Sequence, residues 1–301
     1  MSAMVTLRDQ ISARLAAVGY IADRDLSTSL WLMQLLNRPL LLEGDAGVGK
    51  TEVAKALASA HGHDLIRLQC YEGLDQNAAL YEWNYQRQIL AIKVHETHQE
   101  SVAEIETHIF SESFLLERPI LQAVRSEKPV VLLIDEVDRA DEEFEAFLLE
   151  FLSDYQVTIP ELGTIKARST PRVILTSNGS REISDALRRR CLYHYVDFPE
   201  ADREAAIIRA RHPEVEARLA IQVARLLQSI RKEDLRKAPG VAETLDFVVA
   251  LSGLGEGELT RDLLSQDPGA IHEILTTLLK TREDQSRVTR EVVARLVANV
   301  A

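Results

Sequence analysis

A glycine-rich bend between an apolar run and a helix-forming run constrains the fold of this chain more than any other feature. Residues 44–51 are, in order, Gly44, Asp45, Ala46, Gly47, Val48, Gly49, Lys50 and Thr51. This order fits the pattern G-x-x-x-x-G-K-[ST]. Residues 39–43 are short and apolar enough for a buried strand, and residues 52–60 favour a helix. The sequence therefore predicts an α/β unit with a phosphate-binding loop.

The residue types in this bend suit the phosphates of a nucleotide. Gly44, Gly47 and Gly49 allow a tight turn and a close backbone approach, and successive amide N–H groups form an anion-binding nest. Lys50 can reach the β- and γ-phosphates of ATP, and the Thr51 hydroxyl can ligate Mg²⁺. A glycine turn that merely caps a helix is the structural alternative, but the flanking strand and helix favour the phosphate loop.

Composition places the chain among globular proteins. Its 301 residues suit one large domain or two ordinary ones, and 46% are hydrophobic and 27% charged. We expect no membrane span and no signal peptide, because no apolar run is long enough and the N-terminus lacks the required layout. Cys70 and Cys191 make no disulfide framework, so a reducing cytoplasm is expected. The net charge of −12 makes a nucleic-acid partner unlikely, although a local basic patch stays possible.

A second apolar run ends in two carboxylates. Residues 130–134 are consecutive branched apolar residues, typical of a central parallel strand, and Asp135 and Glu136 follow them. Acidic residues can simply mark the end of a strand. Downstream of a phosphate loop, however, the pair is typical of a Walker B motif. Asp135 would then hold Mg²⁺, and Glu136 would polarise the attacking water as a general base.

Two later segments offer further catalytic candidates. A strand at 172–176 leads to Asn178, which could orient the γ-phosphate or the water, although an Asn after a strand is often only a turn residue. A short helix then ends in Arg188, Arg189 and Arg190. These cations could simply offset the helix dipole. The more specific hypothesis is an arginine finger that acts on the nucleotide of a neighbouring subunit.

The remaining pattern predicts the other elements. In the first part, we expect helices over most of 7–36, in a polar insertion at 77–110, over 112–127 and, as an amphipathic helix, after Asp141. We expect strands at 64–69, in a hairpin near 155–167 and at 191–198. Beyond Pro199 the pattern is helical, with expected helices at 201–211, 214–231, 241–252, 257–265, 268–282 and 289–300. We therefore predict an α/β domain at 1–200 and a helical domain at 201–301.

With these motifs in order, the chain resembles an AAA+ ATPase, and more narrowly the MoxR family. The segments that carry the resemblance are Gly44–Thr51, Leu132–Arg139, Thr176–Asn178 and Ala186–Arg190. Residues 239–246 look like the branch linked to carbon monoxide dehydrogenase maturation. The resemblance implies a P-loop NTPase αβα sandwich with a central parallel sheet, followed by an all-α lid. The insertions near 77–110 and 155–167 match those of this superclade.

The resemblance also implies how such a chain works. Family members are ring hexamers with nucleotide between subunits, act as chaperones on client enzymes during metal-cofactor insertion, and often have a partner with a von Willebrand factor A domain. Many lids of AAA+ proteins supply a second sensor arginine, but the corresponding residues here, 241–244, contain none, and Arg236 is not aligned with that position.

The sequence thus predicts Mg²⁺-dependent ATP hydrolysis coupled to the remodelling or activation of a protein client. Two alternatives remain. A nucleotide-gated scaffold would share the phosphate loop without needing Glu136. A DNA-associated AAA+ motor would need a basic surface, for which Arg87, Lys93 and Lys166 offer little support.

Overall fold

The computed structural model describes residues 3–96, 101–253 and 272–298. The predicted helix 257–265 and the start of the predicted helix 268–282 lie outside these residues. The chain forms two compact units. The first comprises Met1–Ile11, Arg24–Glu43 and Ala54–Tyr195, and the second comprises Ser12–Asp23, Gly44–Val53 and Val196–Ala301.

Strands and helices follow the predicted order along most of the described chain. The strands are β1 (Leu40–Glu43), β2 (Asp64–Gln69), β3 (Tyr81–Trp83), β4 (Leu115–Glu117), β5 (Val130–Asp135), β6 (Gln156–Ile159), β7 (Gly163–Lys166), β8 (Arg172–Ser177) and β9 (Leu192–Tyr195). The helices are α1 (Ala3–Ala17), α2 (Arg24–Leu36), α3 (Lys50–His61), α4 (Gln76–Leu80), α5 (Tyr85–Glu96), α6 (Val102–Ile109), α7 (Pro119–Arg125), α8 (Glu142–Asp154), α9 (Asp185–Arg190), α10 (Ala201–Arg211), α11 (Ala217–Arg231), α12 (Val241–Gly253), α13 (Arg282–Arg287) and α14 (Arg290–Ala298). Short 3-10 turns lie at Glu112–Phe114, Val137–Arg139 and Leu275–Thr277.

The first unit is built on a parallel sheet with the strand order β2-β5-β8-β1-β9. Every residue of β5 is buried, as expected for a central strand covered on both faces. Because all five strands are parallel, their carboxyl ends lie at one edge, where Glu43, Asp135 and Ser177 end β1, β5 and β8. The predicted parallel α/β fold is confirmed.

The segment between β2 and β5 differs from its prediction. The polar insertion 77–110 contains helices α4 to α6, but it also contains β3, which pairs with β4 in an antiparallel ribbon. The single helix predicted over 112–127 is wrong. Pro119 occupies the first turn of α7, and the preceding Arg118 is extended with φ −98 and ψ 169. A residue before proline is restricted in this way, so the helix cannot continue upstream of Pro119.

Two smaller differences concern the hairpin and the edge strand. The hairpin of β6 and β7 is confirmed, but the four-residue turn that the sequence predicts over residues 160–163 is wrong. Gly163 pairs with Ile159, so the loop consists of residues 160–162 only. The strand predicted over 191–198 is restricted to β9, which pairs with β1 on one side.

The second unit has a helical core of its own. Its fully buried residues come mainly from α11 and α12 and include Val223, Leu227, Phe247 and Val248. α11 and α12 each present one apolar side to this core, at the helical spacing that the sequence predicts. Among the described residues, no helix combines the length and the apolar character needed to cross a membrane.

Candidate functional site

The phosphate loop belongs to the second unit, and its backbone bends in the left-handed region at two of its glycines. Gly47 and Gly49 have φ values of +86 and +97, which glycine adopts without strain. Lys50 begins α3 and is only 6% exposed. Its ammonium donates hydrogen bonds to the carbonyl oxygens of Gly44 at 2.8 Å and Asp45 at 2.7 Å. The lysine head group is thereby held across the loop.

The other predicted loop residues lie close to Lys50 in the sequence and differ in exposure. Asp45 and Ala46 are exposed, whereas Val48 is buried and anchors the loop. Thr51 is half-buried in the first turn of α3. The amides at the start of such a helix have no intrahelical partners, so they are available to an anion.

The acidic turn, residues 135–139, follows β5 in the first unit. Asp135 is 3% exposed. One of its carboxylate oxygens accepts a hydrogen bond from the Thr176 hydroxyl, and the other accepts one from the Arg67 guanidinium at 2.6 Å. Sequence reasoning assigned no role to Arg67 or Thr176, because both reach Asp135 from neighbouring strands of the sheet.

Glu136 differs from Asp135 in both backbone and exposure. Its φ and ψ are 55 and 50, a left-handed conformation that costs a non-glycine residue on the order of 1–3 kcal/mol. The Glu136 N–H donates to the Thr176 hydroxyl at 2.9 Å, and its side chain, 33% exposed, pairs with Arg139 at 3.1 Å. The left-handed conformation at Glu136 directs its carboxylate out of the strand. Asp135 and Glu136 are adjacent in sequence, but their carboxylates therefore have different environments.

Asp138 connects the acidic turn to the end of β8, and the sequence analysis missed it. Its carboxylate accepts the Asn178 N–H at 3.2 Å, the Ser180 N–H at 2.9 Å and the Ser180 hydroxyl at 2.6 Å. Burial would raise the pKa of Asp138, but the hydrogen bonds from Ser180 and Asn178 lower it below the ordinary value. The backbone N–H of Asn178 is thus held beside the acidic turn.

The three arginines of α9 have different surroundings. Arg188 pairs with Glu43 at the end of β1 at 2.9 Å, and Arg190 donates to the Ser153 hydroxyl at 2.5 Å. Arg189 is exposed, and its guanidinium makes no hydrogen bond or ion pair with any residue that the structure describes. Of the three, Arg189 is thus the arginine whose guanidinium makes no such contact with a described residue, and Arg190 is exposed as well.

Arg38 holds the end of the helix that carries these arginines. Its guanidinium donates to the carbonyl oxygens of Arg189 at 2.6 Å and of Arg190 and Cys191 at 3.2 Å. Carbonyls in the last turn of a helix lack intrahelical partners and carry partial negative charge. Arg38 satisfies them and fixes the direction of this turn.

The described residues contain oxygen donors but no cluster of metal-ligating side chains. Within residues 3–96, 101–253 and 272–298, no group of three or more His, Cys, Asp and Glu side chains could hold a metal ion. Mg²⁺ is usually bound by one or two carboxylates together with substrate phosphates. The buried Asp135 carboxylate is a donor of this kind.

Comparison with known proteins identifies relatives of the chain. A family model described as "AAA domain (dynein-related subfamily)" matches residues 39–191, just over half of the chain. An uncharacterized protein of Staphylococcus epidermidis is 28% identical over 233 residues, which cover 73% of this chain and 78% of that protein. An uncharacterized protein of Staphylococcus haemolyticus is 25% identical over 228 residues, with the same coverage of 73% and 78%.

Solved structures also resemble the chain. The RuvB Holliday junction branch migration motor of Thermotoga maritima matches with a TM-score of 0.48 and 16% identity, covering 87% of this chain and 69% of that one. A point mutant of the same motor matches with a TM-score of 0.49 at the same identity and coverage.

Proposed function

We propose that this chain, which belongs to the dynein-related subfamily of AAA domains and is therefore an ATPase, uses Mg²⁺-dependent ATP hydrolysis to remodel or activate a protein client. The division into a nucleotide-binding domain at 1–200 and a helical lid at 201–301 is part of this proposal. So is the assignment of individual residues to the reaction.

Each motif has one role in the proposed reaction. Lys50 and the loop amides bind the phosphates, and Thr51 and Asp135 hold Mg²⁺, which supplies positive charge to the phosphate oxygens. Glu136 takes the proton of the attacking water, and Asn178 orients that water. Little covalent chemistry is required of the protein, so positioning and charge stabilisation account for most of the catalysis.

The conformation of Glu136 is the observation that carries this proposal. A non-glycine residue in the left-handed region is costly, and such residues cluster at active sites. This residue directly follows the buried Asp135, and its carboxylate is accessible to solvent. A purely structural acid at the end of a strand would not need the left-handed conformation.

Arg189 is the arginine that we assign to the nucleotide of a neighbouring subunit. Arg188 and Arg190 already bind Glu43 and Ser153 in their own chain, whereas the exposed Arg189 makes no such bond with a described residue. A planar, permanently charged guanidinium suits the charge that develops on a transferred phosphoryl group. This assignment requires a homo-oligomer, and we propose the hexameric ring that the family resemblance implies.

The finer biological role rests on the MoxR-like pattern of the sequence. Residues 239–246 suggest the branch linked to carbon monoxide dehydrogenase maturation, whereas the helical insertion and the hairpin match the superclade as a whole. We therefore propose a client enzyme that receives a metal cofactor, and a possible partner with a von Willebrand factor A domain. A cytoplasmic location agrees with the two free, buried cysteines.

Replacing Glu136 by Gln tests the proposed function. The variant should bind ATP normally and hydrolyse it about 10²–10⁴-fold more slowly, because the general base is lost and the shape of the side chain is kept. Glu143→Gln, which alters an exposed glutamate of α8, is the matched control. Turnover by Glu136→Gln close to that of the control would reject the assignment. Full client support by this slow variant would favour the scaffold alternative.

The trans arginine is tested by dilution. Turnover per subunit should rise with protein concentration as subunits assemble, and Arg189→Ala should abolish that rise. Arg168→Ala is the control, since it removes an exposed arginine whose partner is the exposed Glu127. If dilute monomers of the natural sequence hydrolyse ATP at the full rate, Arg189 does not act across subunits.

A further inference from the structure

Within the second unit, the turn before α12 contacts the phosphate loop through backbone alone. The Val241 N–H donates a hydrogen bond of 2.9 Å to the carbonyl oxygen of Gly47. A Cβ atom on Gly240 would lie 2.7 Å from both the Cα and the carbonyl oxygen of Gly47, closer than real Cβ contacts. This approach therefore requires glycine at position 240, independently of the glycine pattern of the loop.

The hydrogen bond fixes the orientation of one loop amide. The peptide between Gly47 and Val48 is planar and trans, as in every peptide bond of the described residues, so the Val48 N–H points opposite to the Gly47 carbonyl. Because Val241 holds that carbonyl toward α12, the Val48 N–H is directed away from α12. The bond also satisfies an N–H in the first turn of α12, which has no intrahelical acceptor.

A buried polar network supports the Gly240 turn from within the helical unit. Arg231 pairs with Glu204 through two hydrogen bonds of 2.6 and 2.7 Å, and their side chains are only 8% and 0% exposed. The Arg231 Nε donates to the Pro239 carbonyl at 2.9 Å. The Thr244 hydroxyl lies 2.7 Å from the Glu204 carboxylate and 3.1 Å from the Gly240 carbonyl. The turn is therefore tied to α10, α11 and α12 at once.

The same turn is closed locally by Glu243. Its carboxylate accepts the Gly240 N–H at 3.1 Å, and one of its oxygens lies 3.8 Å from the point where a Cβ of Gly47 would stand. The Gly240 N–H thus has an acceptor in Glu243, and the Gly240 carbonyl has a donor in Thr244, both of which belong to α12. The turn therefore has a fixed shape with which to meet Gly47.

We propose that Gly240 is a positioning residue for nucleotide binding, which acts by holding the Gly47–Val48 peptide of the phosphate loop in the orientation that presents the Val48 N–H. This inference rests on the proposed function, because it assumes that the loop binds a nucleoside triphosphate. Coupling between two equilibria is reciprocal. A bound triphosphate therefore stabilises the contact between the Gly240 turn and Gly47, and the arrangement of the helical unit responds to the nucleotide.

Gly240→Ala tests the inference directly. With a non-hydrolysable ATP analogue and Mg²⁺, the dissociation constant should rise about tenfold, because the added methyl group displaces the Gly47–Val48 peptide. Gly253→Ala is the matched control, since it makes the same change at the other end of α12, where no atom of the described residues lies within 4 Å. Hydrogen exchange should show the Val241 amide protected by the analogue in the natural sequence and in Gly253→Ala, but not in Gly240→Ala.

A milder pair of variants guards against a folding defect. Thr244→Val removes the hydroxyl that joins Gly240 to Glu204, and it should weaken binding of the analogue severalfold, whereas Thr244→Ser should restore it. A purely structural role would lower the melting temperature of both Gly240→Ala and Thr244→Val without changing protection of Val241 by the analogue.

The outcomes of these experiments distinguish failure of this inference from failure of the proposed ATPase function. If the natural sequence binds no ATP analogue, the proposed function fails, and the inference fails with it. If the natural sequence binds the analogue and Gly240→Ala binds it equally well, only the inference is overturned.

Discussion

The phosphate loop and the acidic turn illustrate two ways of building a reactive surface. In the loop, the geometry comes from the backbone of Gly47 and Gly49, and its lysine binds carbonyl oxygens of the same loop. In the acidic turn, the geometry comes from side chains that are distant in sequence: Thr176 and Ser180 reach it from β8 and the loop beyond. The loop is therefore specified locally, whereas the turn depends on the packing of the sheet.

This difference predicts how each region fails. Damage to the loop should affect nucleotide chemistry with little change in the stability of the sheet. Damage to the supports of the acidic turn should affect stability and turnover together, because the same hydrogen bonds maintain the fold and orient the acids. Four substitutions test the contrast, beginning with the largest expected effect.

Lys50→Ala should reduce ATP turnover about 10²–10³-fold, the usual consequence of removing one preorganised donor from a developing charge. The Gly44 and Asp45 carbonyls lose their ammonium partner, but both belong to the loop itself. Because the loop takes its bends from its own glycines, the free energy of unfolding should change less than in the variants of the acidic turn. Steady-state turnover and urea unfolding measure the two effects, with Lys128→Ala, an exposed lysine before β5, as the control. Turnover equal to that of the control would remove Lys50 from the site.

Asp138→Asn should lower the free energy of unfolding by about 1–3 kcal/mol at neutral pH, because the buried acceptor of three hydrogen bonds loses its charge. The pKa of Asp138 is below its ordinary value in the folded protein. Its contribution is therefore fully present above the unfolded pKa of about 3.9, and it is lost as the pH falls through the lower folded value.

Urea unfolding from neutral pH into the acid range checks this dependence. The difference between Asp138→Asn and the natural sequence should be constant down to about pH 4 and shrink below it. Asp154→Asn, at the exposed end of α8, should show no such difference. A difference that grows on acidification would contradict the assigned direction of the pKa shift. Turnover should fall with stability, because Asn178 is held through Asp138.

The two regions also show how much of the molecule could be predicted from sequence. The phosphate loop, β5 and the amphipathic α8 follow from local patterns, so each was predicted at nearly its observed position. The acids of the turn were predicted, but their supports were not. Register decides which residues of β2 and β8 face Asp135, and no local pattern encodes that register.

The wrong prediction of a single helix over 112–127 has the same cause, because it too ignored contacts between segments that are distant in sequence. Its apolar residues fit a helical period and are buried, but Pro119 and the pairing of β4 with β3 override that period. The contact of Gly240 with Gly47 was likewise invisible, since the two glycines are far apart in sequence. Local chemistry was therefore readable, and contacts between distant segments were not.

Thr176→Val should cost about 1–2 kcal/mol of stability, less than Asp138→Asn, because a neutral hydroxyl is removed and the side chain keeps its volume. The Glu136 N–H loses its acceptor and Asp135 loses a donor. Turnover should fall as well, since the hydroxyl joins both acids. Thr176→Ser keeps the hydroxyl and should retain most of the turnover. Equal loss in both variants would assign the effect to packing and not to the hydrogen bonds.

Arg67→Gln should have the smallest effect, although Arg67 binds the same buried carboxylate as Thr176. Its side chain is 50% exposed, whereas that of Asp135 is 4% exposed, so solvent screens the guanidinium. Exposed ion pairs usually contribute about 0.2–1 kcal/mol and weaken with salt. Urea unfolding at low and high ionic strength should therefore give a small difference that shrinks as salt is added, with Arg67→Lys in between. A loss of stability as large as that of Asp138→Asn and independent of salt would contradict this expectation. It would mean that exposed residues at the rim of the sheet support Asp135 as strongly as buried residues do. The acidic turn would then depend on the surface of the sheet as well as on its interior packing.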